Sequence, residues 1–596
     1  MKNSPSKKSL LYKFLKWRYR HISNKNFILI LSILVGFTAG LVSVLLKNIT
    51  HLIQVVLESD ILSWQTSFYF IVPVIGLLIV YVFTKFIFKK EVRPAIPLIL
   101  YSLSKKNGII KSLHAYLPLI LAPITVGFGG SVGLLGPAVG SGSALSSGIS
   151  TLFHVNNKTR ILLIGCASAG AISAVFKSPL AGLVFAVEIF SLDLTLASLL
   201  PLLFASVSSI ITSYFFLGDE VLFRFEVLEK FELNDVPFYI LLGIGTAIAS
   251  IYFTKMYFGI QHFFNRFSKK IYKLLIGGLA IGTMLYFIPP LYGEGLGFIN
   301  DLLRGDHLTA IGKTPFDSIT SNIWVVIGLL AGITIFKAIA MTATFAAGGS
   351  GGVFIPTMVM GSALGNVVSK IINNLGLGFQ VSEANFTLLG MAGLIAGVLH
   401  APLTSIFLIA EITSSYELFL PLMITTSISF IISKNRIEHN IYTRELAEQG
   451  HLLTHDKDQT VLTLMNLEDC IETNFIAIKP EYTLKQLLSE AVAKSNRNLF
   501  PVTDESGLLI GIVSLDDIRD IMFDITLYHK TTVDMLLSEI STVIVYEEDN
   551  VKTTMKKFQD TGAWNLPVIR EGKYFGFISK SKLLTSYRRK LINFTR

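Results

Sequence analysis

Gly129-Gly-Ser-Val-Gly-Leu-Leu-Gly-Pro137 decides the fold, because the chain writes it twice. Its second copy is Gly348-Gly-Ser-Gly-Gly-Val-Phe-Ile-Pro356, and each copy runs on to a Gly-Ser-Ala-Leu, at Gly142 to Leu145 and Gly361 to Leu364. A further pair follows in the same order: Pro179-Leu180 leads to Glu188-Ile189, and Pro402-Leu403 leads to Glu411-Ile412. Small-residue strings recur wherever membrane helices pack closely, but chance recurrence does not keep two motifs in one order. The pattern marks a duplicated membrane domain, an architecture that places its binding site where the halves meet.

Each copy sets a glycine-rich turn directly before a small-residue, helix-forming stretch, with Pro137 or Pro356 in the first turn. Proline fits a helix start because its missing N–H would be unpaired there anyway. Such a start exposes backbone N–H groups and the positive end of the helix dipole. If both halves aim these ends at one point in the hydrocarbon layer, partial charges hold an anion without trapping it on a full lysine or arginine charge. A cation site would need inward carboxylates or carbonyl rings, and these breaks carry neither.

Composition places that site in a bilayer. Mean hydropathy is +0.59, 51% of the 596 residues are apolar and 15% are charged, where a soluble chain carries roughly 25% charged. Nearly charge-free runs cover Phe27 to Leu46, Phe68 to Phe88, Pro118 to Phe128, Ala197 to Leu217 and Ile323 to Ala346. A membrane span takes about 20 such residues. Other runs are broken by Gly and Pro, which a membrane tolerates only where the loosened backbone lines an enclosed cavity. The expected fold is an all-α polytopic membrane domain of two inverted repeats with broken helices, followed by a soluble α/β tail.

Lys2, Lys7, Lys8, Lys13, Lys16, Arg18 and Arg20 crowd the start, and Lys434, Arg436 and Arg444 follow the last apolar stretch. The positive-inside bias puts both ends in the cytoplasm and gives an even number of crossings; no signal-peptide pattern follows the basic start. The net charge of +10 therefore reports topology and not nucleic-acid binding. Cys166 and Cys470 are too few and too differently placed for a disulfide framework and are read as inert. The expected division is a basic cytoplasmic segment 1–26, a membrane domain 27–445, a linker 446–465 and a soluble tail 466–590.

Gly352-Val-Phe-Ile-Pro356, Ile441-Tyr-Thr443 after the last apolar stretch, and Pro179-Leu-Ala-Gly182 together resemble the CLC family of chloride channels and proton-coupled exchangers, over nearly the whole chain. The resemblance, to a bacterial member, implies a homodimer in the cell's inner membrane with one pore per subunit. It implies anions held by backbone amides around Val353, Phe354 and Ile355 and by the Tyr442 hydroxyl on the inner side, with Gly133, Gly136 and Gly352 on the same pathway.

Three departures from that family pattern bear on mechanism. The family's Gly-Lys/Arg-Glu-Gly-Pro, whose glutamate is the movable gate and proton carrier, stands here as Gly133-Leu134-Leu135-Gly136-Pro137. The exchangers' internal glutamate falls one position beyond Glu188, where this chain has Ile189. With both acids gone, the expectation is passive, channel-like conduction of chloride and other small anions, not coupled to protons. Glu188 and Glu411 match structural positions. The chloride-ligating serine of the first motif is replaced by Pro94, within Arg93-Pro-Ala-Ile-Pro97, as in the family's plant nitrate exchangers, which points to nitrate as a further anion. Lys177 is read as capping a helix end.

The tail repeats one pattern: Asn498-Leu-Phe-Pro-Val502 before Gly511-Ile-Val-Ser-Leu-Asp-Asp-Ile518, then Asn565-Leu-Pro-Val568 before Gly576-Phe-Ile-Ser-Lys-Ser-Lys-Leu583. Alternating apolar residues predict short strands, and Leu484 to Lys494 and Val551 to Asp560 predict amphipathic helices. The pattern is similar to a pair of CBS modules, which implies an adenine-nucleotide site at Ser514 and Asp517; the second copy has Lys582 in place of the acid. No enzyme activity, catalytic residue, metal or obligatory cofactor is expected; the transported ligand is chloride. The alternatives are an anion/proton exchanger coupled through other residues, or a CBS-bearing divalent-cation transporter, which would need intramembrane carboxylates.

Overall fold

The computed structural model describes residues 10–57, 69–89, 94–192, 195–218, 231–312, 314–316, 320–376, 378–413, 416–448, 462 and 465–595. Arg93 and most of the expected linker lie outside these. The chain divides into two units, Met1–Leu452 and Leu453–Arg596.

The first unit opens with α1 (Leu10–His21), then α2 (Asn24–Leu57), α3 (Val72–Val82), α4 (Ala95–Lys105), α5 (Leu113–Gly127), α6 (Leu135–Leu152), α7 (Asn157–Phe176), α8 (Pro179–Phe190) and α9 (Leu196–Leu217). A second series follows: α10 (Val236–Asn265), α11 (Lys270–Phe287), α12 (Leu296–Leu303), a short α13 (His307–Ile311), α14 (Ile323–Ala346), α15 (Phe354–Asn374), α16 (Glu383–Leu399), α17 (Pro402–Ile412) and α18 (Phe419–Arg436), before a final turn, α19 (Arg444–Glu448). Among the described residues seven helices are long and apolar enough to cross a membrane, and others are markedly shorter. Their lengths follow the punctuation of the sequence, since α8 and α17 each start at a proline and α6 and α15 each follow a glycine turn.

The duplication is three-dimensional. Helix α2 packs on α7 and α9 as α10 packs on α16 and α18; α6 lies on α5 and α7 as α15 lies on α14 and α16. The backbone repeats too: Gly129 and Gly348 share a left-handed conformation, with φ of +85° and +99°, and Lys177 and His400, which end α7 and α16, both have φ of +55°. Helices α8 and α17 run antiparallel against each other, so the halves are inverted, as expected.

Buried small residues bring the central helices close. A Cβ on Gly361 would fall on the Gly390 carbonyl oxygen, and one on Gly365 on that of Phe386, so α15 and α16 meet backbone to backbone, as membrane helices do through small residues. Gly365→Leu therefore destabilises the unit by about 1–3 kcal/mol or more through overpacking. Gly245→Leu, with nothing within 4 Å of the added atom, leaves stability unchanged; melting in detergent separates the two.

The second unit holds two similar modules. In the first, β2 (Leu499–Thr503) pairs antiparallel with β3 (Leu509–Ser514), and Ile478 bridges Val502 in parallel. In the second, β5 (Asn565–Arg570) pairs antiparallel with β6 (Lys573–Ser579), and β4 (Ile544–Val545) joins β5 in parallel through Ile544 and Val568. Each hairpin is irregular at the same place, after Val502 and after Val568. The leading strand β1 (Ile471–Glu472) adds to β6 of the second module, and Ser538 returns to Ile512 of the first, so the modules exchange edges. The helix expected over 484–494 is α-helical only at Leu484–Gln486 and widens to a π-helical turn over Leu487–Val492, whereas Val551–Thr561 is a regular α-helix. Burial raises the Cys470 thiol pKa, which keeps that sulfur in its unreactive, protonated form.

Candidate functional site

The two glycine loops meet face to face. Gly133 N–H donates to Gly352 O at 2.9 Å and Gly352 N–H donates to Gly133 O at 2.6 Å. Beside this bridge one support is made twice: Ser131 N–H donates to Thr344 Oγ1 at 3.2 Å, and Ser350 N–H to Thr125 Oγ1 at 3.1 Å. Each threonine is buried near the C-terminal end of the helix before the other half's loop, α14 and α5. Sequence reading passed over this pair, although each sits four residues before its own loop's first glycine.

The bridge brings the starts of α6 and α15 together. Gly133 faces Ile355, and a Cβ added to Gly136 would lie 2.9 Å from Gly352 Cα. Leu135, Val353, Phe354 and Ile355 are all buried. Phe354 packs among aromatic rings of the other half, tilted at 5.8 Å from Phe176 and edge-on at 6.2 Å from Phe185 between centroids. Gly133, Leu135, Gly136, Gly352, Val353, Phe354 and Ile355 thus gather at one place. Two helix starts converging there aim the positive ends of their dipoles at one place.

Pro94 precedes α4, whose Ala95 lies so close to α6 that a Cβ on Gly140 would stand 2.6 Å from Ala95 Cβ. Tyr442 is buried on the turn after α18; its amide donates to Asn440 Oδ1 at 2.9 Å, and Tyr257 of α10 lies beside it. The contacts that fix this turn run to α10 and, through Asn440 Nδ2 on Leu399 O, to α16. Beside Gly348 opens a cavity of about 1000 Å³ whose walls carry Lys85, Lys89, Lys269, Lys270 and Lys273; clustered positive charge raises the local concentration of anions.

Glu188 and Glu411 form a reciprocal clasp. Glu188 accepts from Leu403 N–H at 2.9 Å, Thr404 N–H at 2.8 Å and the Thr404 hydroxyl at 2.5 Å. Glu411 accepts from Leu180 N–H at 3.0 Å and Ala181 N–H at 2.9 Å. Each acid caps the opposite half's short helix, the structural role expected of them. Ile189, the next residue, is buried. Lys177 donates to Gly218 O at 2.6 Å, at the end of α9, and lies over the Tyr214 ring, which fits its reading as a helix-end cap.

One acid at the junction went unread in the sequence. Glu294, between α11 and α12, reaches across the halves so that its Oε1 accepts from Leu134 N–H at 2.6 Å. The wholly buried Lys337 of α14 donates to the Leu291 and Gly293 carbonyls, at 3.3 and 3.1 Å, and so fastens the loop that carries Glu294. The signal was present: Tyr292-Gly-Glu-Gly295 is a carboxylate inside a glycine break between apolar segments, and ionisable groups at membrane depth are functional candidates by default.

In the second unit, Ser514 and Asp517 cap one short helix together: Ser514 N–H donates to Asp517 Oδ2 at 2.8 Å, Asp517 N–H donates to Ser514 Oγ at 3.2 Å, and the Ser538 hydroxyl donates to Asp517 Oδ2 at 3.2 Å.

Comparison with known proteins agrees with this architecture. The profile of the family described as voltage gated chloride channel matches residues 75–434, and a CBS domain profile matches 467–524, the first of the two modules. A provisionally named chloride channel protein, ClcB-like, of Ralstonia nicotianae is 27% identical over 57% of this chain and 76% of its own length. The H(+)/Cl(-) exchange transporter ClcA of Vibrio cholerae is 26% identical over 67% of this chain and 84% of its own. Among solved structures, a slow cyanobacterial Cl-/H+ antiporter superimposes with a TM-score of 0.62 at 20% identity, over 71% of this chain and 97% of its own.

Proposed function

This chain belongs to the voltage-gated chloride channel family, and we propose that it moves chloride, and nitrate among other small anions, through the junction of its two repeats. The observation that carries this is the Gly133–Gly352 bridge, which holds the starts of α6 and α15 side by side. The anion sits against amides around Val353, Phe354 and Ile355, enters past the lysine-lined cavity, and meets Tyr442 on the inner side. The protein works as a homodimer with a pathway in each subunit and both termini in the cytoplasm, and its tail takes an adenine nucleotide at Ser514 and Asp517.

Two readings of proton coupling follow from different observations. Uncoupled conduction is favoured by Leu135 and Ile189, since neither side chain takes up a proton. Exchange by an unconventional route is favoured by the exchanger names of the Vibrio and cyanobacterial proteins, and by Glu294, whose carboxylate occupies the Leu134 amide. We take exchange as the leading reading. The case for uncoupled conduction is the loss of two acids, at Leu135 and at Ile189, and Glu294 supplies a titratable group beside the first of these positions.

Liposomes loaded with chloride, with anion efflux and proton uptake followed together, test both. Efflux that drives protons uphill supports exchange, efflux without proton movement supports conduction, and the absence of efflux defeats anion transport altogether.

A further inference from the structure

We propose that Glu294 is the gate of the anion pathway, an acid lent to the start of α6 by the opposite repeat. The inference rests on the transport reading above and names how that site is controlled.

Three features support it. First, the carboxylate already sits where an anion would bind: Leu134 is the residue from which α6 starts, and its N–H donates to Glu294 Oε1 at 2.6 Å. A carboxylate and a halide compete for the same kind of donor, so one must leave for the other to enter. Second, the backbone under Glu294 is held while its side chain keeps a partly exposed face. Gly293 and Gly295 on either side adopt positive φ, +54° and +83°, a bend open to glycine but costly for other residues. Lys337 grips the carbonyls of Leu291 and Gly293, and Tyr292 Oη donates to Gly127 O at 2.5 Å. Glu294 itself is only partly buried, so its carboxylate can swing off the amide towards solvent without moving the loop. Third, the position is electrostatically furnished. The charged groups that face Glu294 from the packed helices are Lys337 of α14 and Lys47 of α2, and their positive charge draws an anion, carboxylate or halide, to this place.

The gating step balances simply. A proton from water on the side that Glu294 faces adds to its free carboxylate oxygen. The neutral acid is a weaker acceptor, leaves Leu134 N–H, and an anion takes its place. Loss of the proton restores the carboxylate and expels the anion. Residue 135 has no part in the step, which accounts for a leucine there.

The test is chloride efflux from liposomes holding wild type, Glu294→Gln or Glu294→Ala, with the pH of the facing side stepped downward and proton uptake recorded in parallel. Wild-type efflux is expected to rise as pH falls, by at most about tenfold per pH unit, the limit for one titrating group. Glu294→Gln keeps a side-chain oxygen for Leu134 N–H but cannot ionise; its efflux is expected at the wild-type low-pH level at every pH, with proton uptake lost. Glu294→Ala is expected to behave likewise, without depending on the hydrogen bond. Either variant keeping the wild-type pH profile overturns the gate, as does wild-type efflux that ignores pH. If wild-type efflux is pH-dependent but carries no protons, and Glu294→Gln abolishes that dependence, the gate stands and the exchange reading falls.

Discussion

Gly352→Ala is expected to reduce chloride flux by about ten- to a hundredfold, the range that an ångström of misplacement costs at a positioned site. The added methyl would lie 2.6 Å from Gly136 N and 3.0 Å from Gly136 Cα. Both obstacles are backbone, so no side chain can turn aside, and the loops must part. Parting stretches the paired Gly133 and Gly352 hydrogen bonds and separates the starts of α6 and α15, whose joint potential is proposed to hold the ion. Gly148→Ala is the control: it lies on the same α6, but nothing stands within 4 Å of its added atom, and its flux per reconstituted protein matches wild type. Equal flux in both variants would mean that the bridge is not the anion site.

Glu188→Ala is expected to give the largest loss of stability. Three hydrogen bonds to the start of α17 vanish, and hydrogen bonds to a charged partner contribute about 1.5–3 kcal/mol each. The amides of Leu403 and Thr404 are left without their acceptor inside the packed unit, so a cost of about 3 kcal/mol or more is expected. Glu411→Ala, with two bonds to lose, costs less. The double variant costs no more than the sum, because each acid caps a different helix. Thermal melting in detergent orders the four proteins as wild type, Glu411→Ala, Glu188→Ala and the double variant.

The fold was legible because a membrane punishes irregular backbone: glycine breaks in apolar surroundings must be enclosed, and a repeated break announces repeated halves. The loop sequences therefore mark the gathering point of Gly133, Gly136, Gly352 and Phe354. What the sequence hid were the contacts made between halves. Thr125 and Thr344 are ordinary helical threonines until folding brings each under the other's loop. Glu188 and Glu411 read as structural, but which amides they cap depends on the inverted pairing of α8 and α17. Glu294 stands out in the sequence as a carboxylate inside a glycine break, but its partner does not. It lies 160 positions from the amide it binds, a separation at which no local pattern pairs an acid with a helix start. In the tail, one module has the acid at Asp517 and the other has Lys582, a difference visible in sequence that the closely similar strand pairings of the two modules do not report.

The most direct measurement is anomalous diffraction from crystals grown in bromide. An anomalous peak against the backbone amides at the starts of α6 and α15, beside the Gly133–Gly352 bridge, is the result expected. Bromide bound only elsewhere, with the bridge intact and bare, would contradict the claim that paired helix ends hold the transported ion.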